Sequence, residues 1–166
     1  LRNEALQAPP ASTEREQGLR ASLHALEGLK SVVPAADLAT EYVLSACELG
    51  DSLTLALRLA ESDAVLQQAA ARLPLVALDR LHLTYRVSTL RADVAFQGGE
   101  RRSTIEHYEA ALAAVVAWEQ AQPKRLLPRT LRAQAHRSLG FAQNYAGDWD
   151  HSVASYRQAI TIGDEL

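Results

Sequence analysis

The chain has 166 residues, 48% apolar but only 5% aromatic, and a net charge of −3 with acids and bases interspersed. That length suits one ordinary domain with its own core, and the Ala- and Leu-rich apolar content suits close helix packing better than a sheet of β-branched and aromatic residues. The charge balance lacks the basic excess that neutralises phosphates, and the longest apolar run, Ala110 to Trp118, is far short of the ~20 residues that span a bilayer, so neither nucleic acid nor a membrane is expected as a partner.

Cys47 is the single cysteine, which excludes an intrachain disulfide and a Cys-based zinc site and fits a reducing, cytoplasmic location. The sequence opens at Leu1, contains no methionine and shows no signal-peptide pattern, so it reads as a segment of a longer protein.

Gln7 to Ser12 (QAPPAS) breaks the chain, and Thr13 and Glu16 then have capping-box spacing. A helix is predicted from Thr13 to about Lys30, with Leu19, Leu23, Leu26 and Leu29 forming its buried stripe. From Pro34 onward the punctuation is periodic: Gly50, the pair Gly98-Gly99 and Gly147 fall 48 or 49 residues apart, as do Pro74 and Pro123. The segments opening at these two prolines match at Leu78/Leu127, Arg80/Arg129, Leu90/Leu139 and Phe96/Tyr145. Those after the glycines match at Ile105/Val153, Tyr108/Tyr156 and Ala111/Ala159. The predicted unit is helix, tight turn, helix, repeated over about 34–72, 74–121 and 124–166 as one continuous domain behind an N-terminal helical segment, 1–33.

Leu139-Gly140, the turn Gly147-Asp148-Trp149 and the series Ser152, Tyr156, Ala159 resemble the tetratricopeptide repeat over about Ala133 to Leu166. Gln143 stands where that family usually has an aromatic residue. The middle repeat, about Tyr85 to Ala114, has Arg91 or Ala92 in place of the close-packing glycine, and the first, about Pro34 to Ser62, keeps Gly50-Asp51 and an Ala-rich second helix. The resemblance implies an all-α, right-handed helical-repeat solenoid of about seven helices. In it Gly140 and a buried Ala159 admit close helix approach, Tyr156 fills the angle between paired helices, Gly147 takes the turn conformation and Asp148 caps the second helix. Long-helix repeats of this kind look similar to sensor and scaffold regions of bacterial multi-domain regulators.

Catalytic chemistry finds no motif. His24, His82, His107, His136 and His151 are scattered without zinc-protease spacing, and no Gly-x-Ser-x-Gly or phosphate-cradling loop is present. Asp148-Trp149-Asp150 opens like a calcium loop, but Val153 replaces its glycine. No enzyme activity, cofactor or metal is expected; Cys47 reads as a small buried residue, and Trp118 and Trp149 as packing residues. Between Glu119 and Asp148 there is no acid, while Lys124, Arg125, Arg129, Arg132 and Arg137 are basic. Arg125, Arg129, Arg132 and His136 share a helical face, readable as a ridge for an anionic ligand or as a surface paired with acids such as Asp79, Glu106 or Glu109.

The leading function is a non-catalytic scaffold, part of a larger bacterial regulatory or signalling protein, that binds a protein or an acidic peptide. The family's groove, carried onto this sequence, selects Gln134, Arg137, Phe141, Asn144 and Tyr145, with Tyr85, Ser88 and Phe96 from the middle repeat. Arg137 would fork a carboxylate, Asn144 hold a peptide backbone, and Phe141, Tyr145 and Phe96 supply apolar anchorage. The competing reading makes Tyr145 and Phe96 plugs of the inter-repeat core. Self-association through the terminal repeat is a further expected contact. The alternative function is a small-ligand sensor controlling an attached DNA-binding, ATPase or cyclic-dinucleotide effector.

Overall fold

The computed structural model describes residues 2–9, 12–29 and 33–166. Among these no strand occurs, as the composition requires. A four-residue turn of helix, α1 (Arg2–Ala5), precedes seven helices of 14 to 21 residues. These are α2 (Thr13–Gly28), α3 (Ala35–Leu55), α4 (Leu59–Arg72), α5 (Arg80–Gln97), α6 (Arg101–Ala121), α7 (Leu126–Ala146) and α8 (Trp149–Asp164), with a short 3-10 turn at Leu73–Leu75. None of the described helices is long and apolar enough to cross a membrane. The chain forms two compact units, Leu1–Leu83 and Thr84–Leu166.

In the first unit α2 starts one residue earlier than the capping-box spacing implied. Ser12, extended at φ −77° and ψ 148°, is the N-cap, and its hydroxyl accepts from the Arg15 N–H at 3.1 Å. Glu16 is thereby released from capping duty and pairs with Arg20 and Arg58. Leu19 is fully buried and Leu23 packs beside it against Leu49 and Leu53, whereas Leu29 is 41% exposed and leaves the stripe. Lys30, the expected end of this helix, lies outside the described residues.

Three helix pairs, α3/α4, α5/α6 and α7/α8, close on the same turn. Leu57, Gly99 and Gly147 take the left-handed conformation, at φ 58°, 76° and 86°. In each turn the next residue's N–H reaches back five residues: Arg58 to the Leu53 carbonyl, Glu100 to Ala95 and Asp148 to Gln143, all at 2.9 Å. That bond satisfies a carbonyl the helix end would otherwise strand, the Schellman arrangement. Asp148 then caps α8 by accepting from the His151 N–H.

Counting from the left-handed residue aligns the pairs internally. Seven positions before it stand Gly50, Ala92 and Gly140; five after it, Ser62, Thr104 and Ser152; nine after it, Leu66, Tyr108 and Tyr156. Ser62 donates to the Gly50 carbonyl at 2.7 Å and Ser152 to the Gly140 carbonyl at 2.8 Å, while Thr104 turns to the Glu100 carbonyl. A Cβ on Gly50 would lie 2.8 Å from Leu66 Cδ2, and one on Gly140 would lie 3.2 Å from Tyr156 Cγ.

The sequence register of the first repeat therefore needs correction. Gly50 is a buried residue inside α3, the counterpart of Gly140, and the turn position is filled by Leu57. The 48-residue glycine period aligned two different needs for glycine, missing side-chain room in one case and positive φ in the others.

Ala159 also departs from expectation. Its counterparts Ala69 and Ala111 are buried, but Ala159 is half-exposed, because among the described residues no helix follows α8 to cover that side. Ser152, Ser155 and Ile162 are the buried residues of α8. Gln143, in place of the family's aromatic, is buried and satisfied by the Ser155 hydroxyl at 2.8 Å. Cys47 is fully buried in α3.

Candidate functional site

The residues selected on α7 recur every three or four positions, so Gln134, Arg137, Phe141, Asn144 and Tyr145 share one face of that helix. All five are exposed, while Ala135, Leu139, Ala142 and Gln143 fill the buried face. The tight turn at Gly98-Gly99 ends α5 just beyond Phe96, and this side chain meets both α7 aromatics. The Phe96 ring centroid lies 5.2 Å from Phe141 and 5.1 Å from Tyr145, with interplanar angles of 61° and 67°. Such edge-on contacts place the positive rim of one ring against the negative face of another. Phe141 and Tyr145 nevertheless stay 46% and 44% exposed, and Phe96 is half-buried. The three rings thus form a cluster open to solvent, so the core-plug reading accounts for only part of their surface.

Arg101, which sequence reasoning missed, stands over this cluster with its guanidinium carbon 5.1 Å from the Tyr145 centroid. Its signal was available: a tight turn two residues earlier folds the start of the next helix back beside Phe96. Arg137, exposed on the α7 face, makes no ion pair among the described residues. The patch therefore offers apolar rings flanked by two cations.

Two selected residues belong elsewhere. Tyr85 is half-buried, and its phenol is pushed above its ordinary range by burial, opposed by a hydrogen bond with Thr89 and reinforced by the nearby Asp93 carboxylate. Tyr108 is shifted in the same direction, first by burial and then by its hydrogen bond to Asp93 at 2.5 Å. Tyr85 and Tyr108 thus flank the half-buried carboxylate of Asp93. Ser88 is half-buried on α5.

The basic ridge is divided by ion pairs that the sequence assigned to other acids. Arg129 pairs with Glu165 at 2.7 Å and Arg132 with Glu119 at 3.0 Å. The Arg132–Glu119 contact has ion-pair distance without hydrogen-bond alignment, since Glu119 Oε2, Arg132 Nε and His136 Nδ1 are buried with no hydrogen-bond partner among the described residues. Burial, and then the Arg132 charge, hold the His136 imidazole below its ordinary value.

The tryptophans separate. Trp118 is buried with its indole N–H donating to Gln122 Oε1 at 3.2 Å, as a packing residue should. Trp149 is 66% exposed and shares the outer side of α8 with the exposed Val153 and Ile160, so its expected packing role is not met. No protein-family model, no curated protein and no solved structure matches the chain.

Proposed function

We propose that the chain is a tetratricopeptide-like helical-repeat scaffold, a right-handed solenoid in which the second unit holds an extended, acidic peptide on the face of Phe96, Phe141, Tyr145 and Arg137. The repeat reading is supported by the recurring internal register. Gly50, Ser62, Leu66 and Ala69 have the spacing of Gly140, Ser152, Tyr156 and Ala159, with Ala92, Thr104, Tyr108 and Ala111 between them. These are the small, small, aromatic and small positions on which the family resemblance rests.

One observation carries the binding reading: three aromatic rings packed edge-on but left half open to water, with Arg137 beside them on the same helical face. Covering such rings is worth up to ~1.5–3 kcal/mol per side chain, and aromatic residues with arginine are the side chains that dominate protein interfaces. Because α7 carries no acid from its start to Asp148, a negatively charged segment meets no repulsion along it.

A panel of immobilised twelve-residue peptides differing in acidic and apolar content, probed with the whole chain, tests this. Peptides combining an acid with a large apolar residue should be retained, and Phe141→Ala or Arg137→Glu should each weaken retention about tenfold or more. Arg157→Glu on α8 serves as a charge control. Retention unaffected by both groove variants, with all proteins folded, would remove this face as the recognition surface.

A further inference from the structure

We propose that the first unit contains a binding site for a small carboxylic acid with a compact apolar body, seated between α2, α3 and the end of α4. A cavity of about 200 Å³ lies there, walled by Leu26, Leu38, Ala39 and Leu75, with Tyr42, Glu27 and Arg72 completing its polar edge. A second cavity of about 300 Å³ shares Glu27 and Tyr42 with the first and is bordered by Arg20, His24 and Gln68. The recess is open to solvent on one side, and its aliphatic walls give water there few polar partners. Its volume accommodates roughly a benzene ring with a short substituent.

The polar edge selects the head group. Arg72 sits over the Tyr42 ring, its guanidinium carbon 3.6 Å from the ring centroid. It donates through Nη1 to the Gln68 carbonyl at 3.1 Å and through Nη2 to Glu27 Oε1 at 2.8 Å. An arginine has five N–H donors, so about three remain. The Tyr42 hydroxyl donates to Gln68 Oε1 at 2.6 Å, which occupies that amide's acceptor and leaves its nitrogen as a donor. Contact with the Tyr42 ring holds the guanidinium beside the apolar recess, which Arg72 lines, while Gln68 borders the second recess on the other side of Tyr42.

A carboxylate fits this fork bidentately, whereas an ammonium would meet a fixed cation and an alcohol would use only part of the donor set. Glu27, itself exposed, occupies Arg72 as an internal competitor that the incoming carboxylate replaces. This site is independent of the aromatic patch in the second unit and stands or falls apart from it.

Titration calorimetry of the whole chain at pH 7.5 with hexanoate, benzoate, 1-hexanol and hexylamine tests the assignment. The two acids should saturate with Kd of about 1 mM or lower, the alcohol should bind about tenfold more weakly, and the amine should give no saturation. Arg72→Gln should weaken hexanoate about tenfold, and Ala39→Leu, which fills the recess, should weaken it comparably. Glu27→Gln should tighten hexanoate, because the competitor is gone; a merely structural ion pair predicts no gain. The proposal is overturned if wild-type protein shows no saturation by either acid at about 10 mM, if the amine binds as well as the acids, or if Glu27→Gln weakens binding in a protein of unchanged circular dichroism. A pentapeptide ending in leucine that binds tighter than either free acid would also overturn it.

Discussion

In the first unit Ser62 reaches back to the Gly50 carbonyl beneath a leucine, and in the second Ser152 makes the same bond to Gly140 beneath a tyrosine. Around this shared lock the two units use their charges differently. Arg15–Glu48, Arg20–Glu61, Arg58–Glu16 and Arg72–Glu27 tie α2 to α3, to α4 and to the turn between those two helices. In the second unit Arg129 and Arg132 find acids, but Arg101 and Arg137 border exposed rings. The difference teaches that one hairpin geometry supports two surfaces, one closed on itself by ion pairs and one left apolar and basic.

The shared lock is the easiest part to break. Gly50→Val drives methyl groups into Leu66, and Gly140→Val drives them into the Tyr156 ring and the Ser152 carbonyl, which lies 3.3 Å from the Cβ position. Each should cost about 2–3 kcal/mol, the upper range for overpacking. Gly28→Val, with open space around it, should stay within about 0.5 kcal/mol. Urea unfolding followed by circular dichroism reads all three. A harmless Gly50→Val would separate the first hairpin from the third and end the claim that they share a register.

The ion pairs differ in burial more than in length. Arg15–Glu48 and Arg129–Glu165 are both 2.7 Å, but the side chains of the first are 11% and 14% exposed and those of the second 34% and 53%. Arg15→Met leaves a largely desolvated carboxylate and should cost about 2 kcal/mol. Arg129→Met should cost under about 0.5 kcal/mol, as solvent already screens its pair. Equal losses in urea titrations of the two variants would contradict the contrast between a clamped first unit and a lightly tied second one.

Much of this was legible in the sequence, and the failures have a common cause. Helix composition, the Gly147 turn, the Asp148 cap and the close approach at Gly140 follow from local chemistry, whereas the Phe96/Tyr145 match, 49 residues apart, is off by one: counted from Gly99 and Gly147, Phe96 corresponds to Asn144. What failed depended on which of two reasons a residue serves. Gly50 was assigned to a turn because glycine serves both turns and tight crossings, while the true turn residue, Leu57, carries no turn signal at all. Tyr85 was assigned to a surface because amphipathic tyrosine suits a surface as well as a half-buried place beside an acid. Arg101 escaped notice although the Gly98-Gly99 turn folds the start of α6 back beside Phe96, because only the structure shows which α7 ring it meets.

Leu57 offers a smaller effect of opposite sign. A leucine at φ 58° bears the steric penalty of the left-handed region, about 1–2 kcal/mol, which glycine at 99 and 147 avoids. Leu57→Gly loses part of that gain to a more flexible unfolded chain and should stabilise the first unit by about 0.5–1 kcal/mol. Gly147→Leu should destabilise the second by about 1–2 kcal/mol. Opposite shifts in urea midpoint are expected; shifts of one sign would mean the two turns are not equivalent.

The smallest effect separates two histidines of the second unit by sign. His136 is held below its ordinary value by burial and by Arg132, so the unfolded chain takes up its proton at a higher pH than the folded one. Its contribution is present above the ordinary imidazole value and is lost as pH falls through that value and past the folded one. His151, bonded to Asp148 at 2.8 Å, is raised first by that hydrogen bond and then by the carboxylate charge. Its contribution is present below the ordinary value and is lost as pH rises through the folded one. Thermal melts between pH 7.5 and 5.5, a range above the carboxylates, should fall less steeply toward acid in His136→Gln than in wild type and more steeply in His151→Gln. Identical slopes in the two variants would show that Arg132 and Asp148 do not bias these imidazoles in opposite directions.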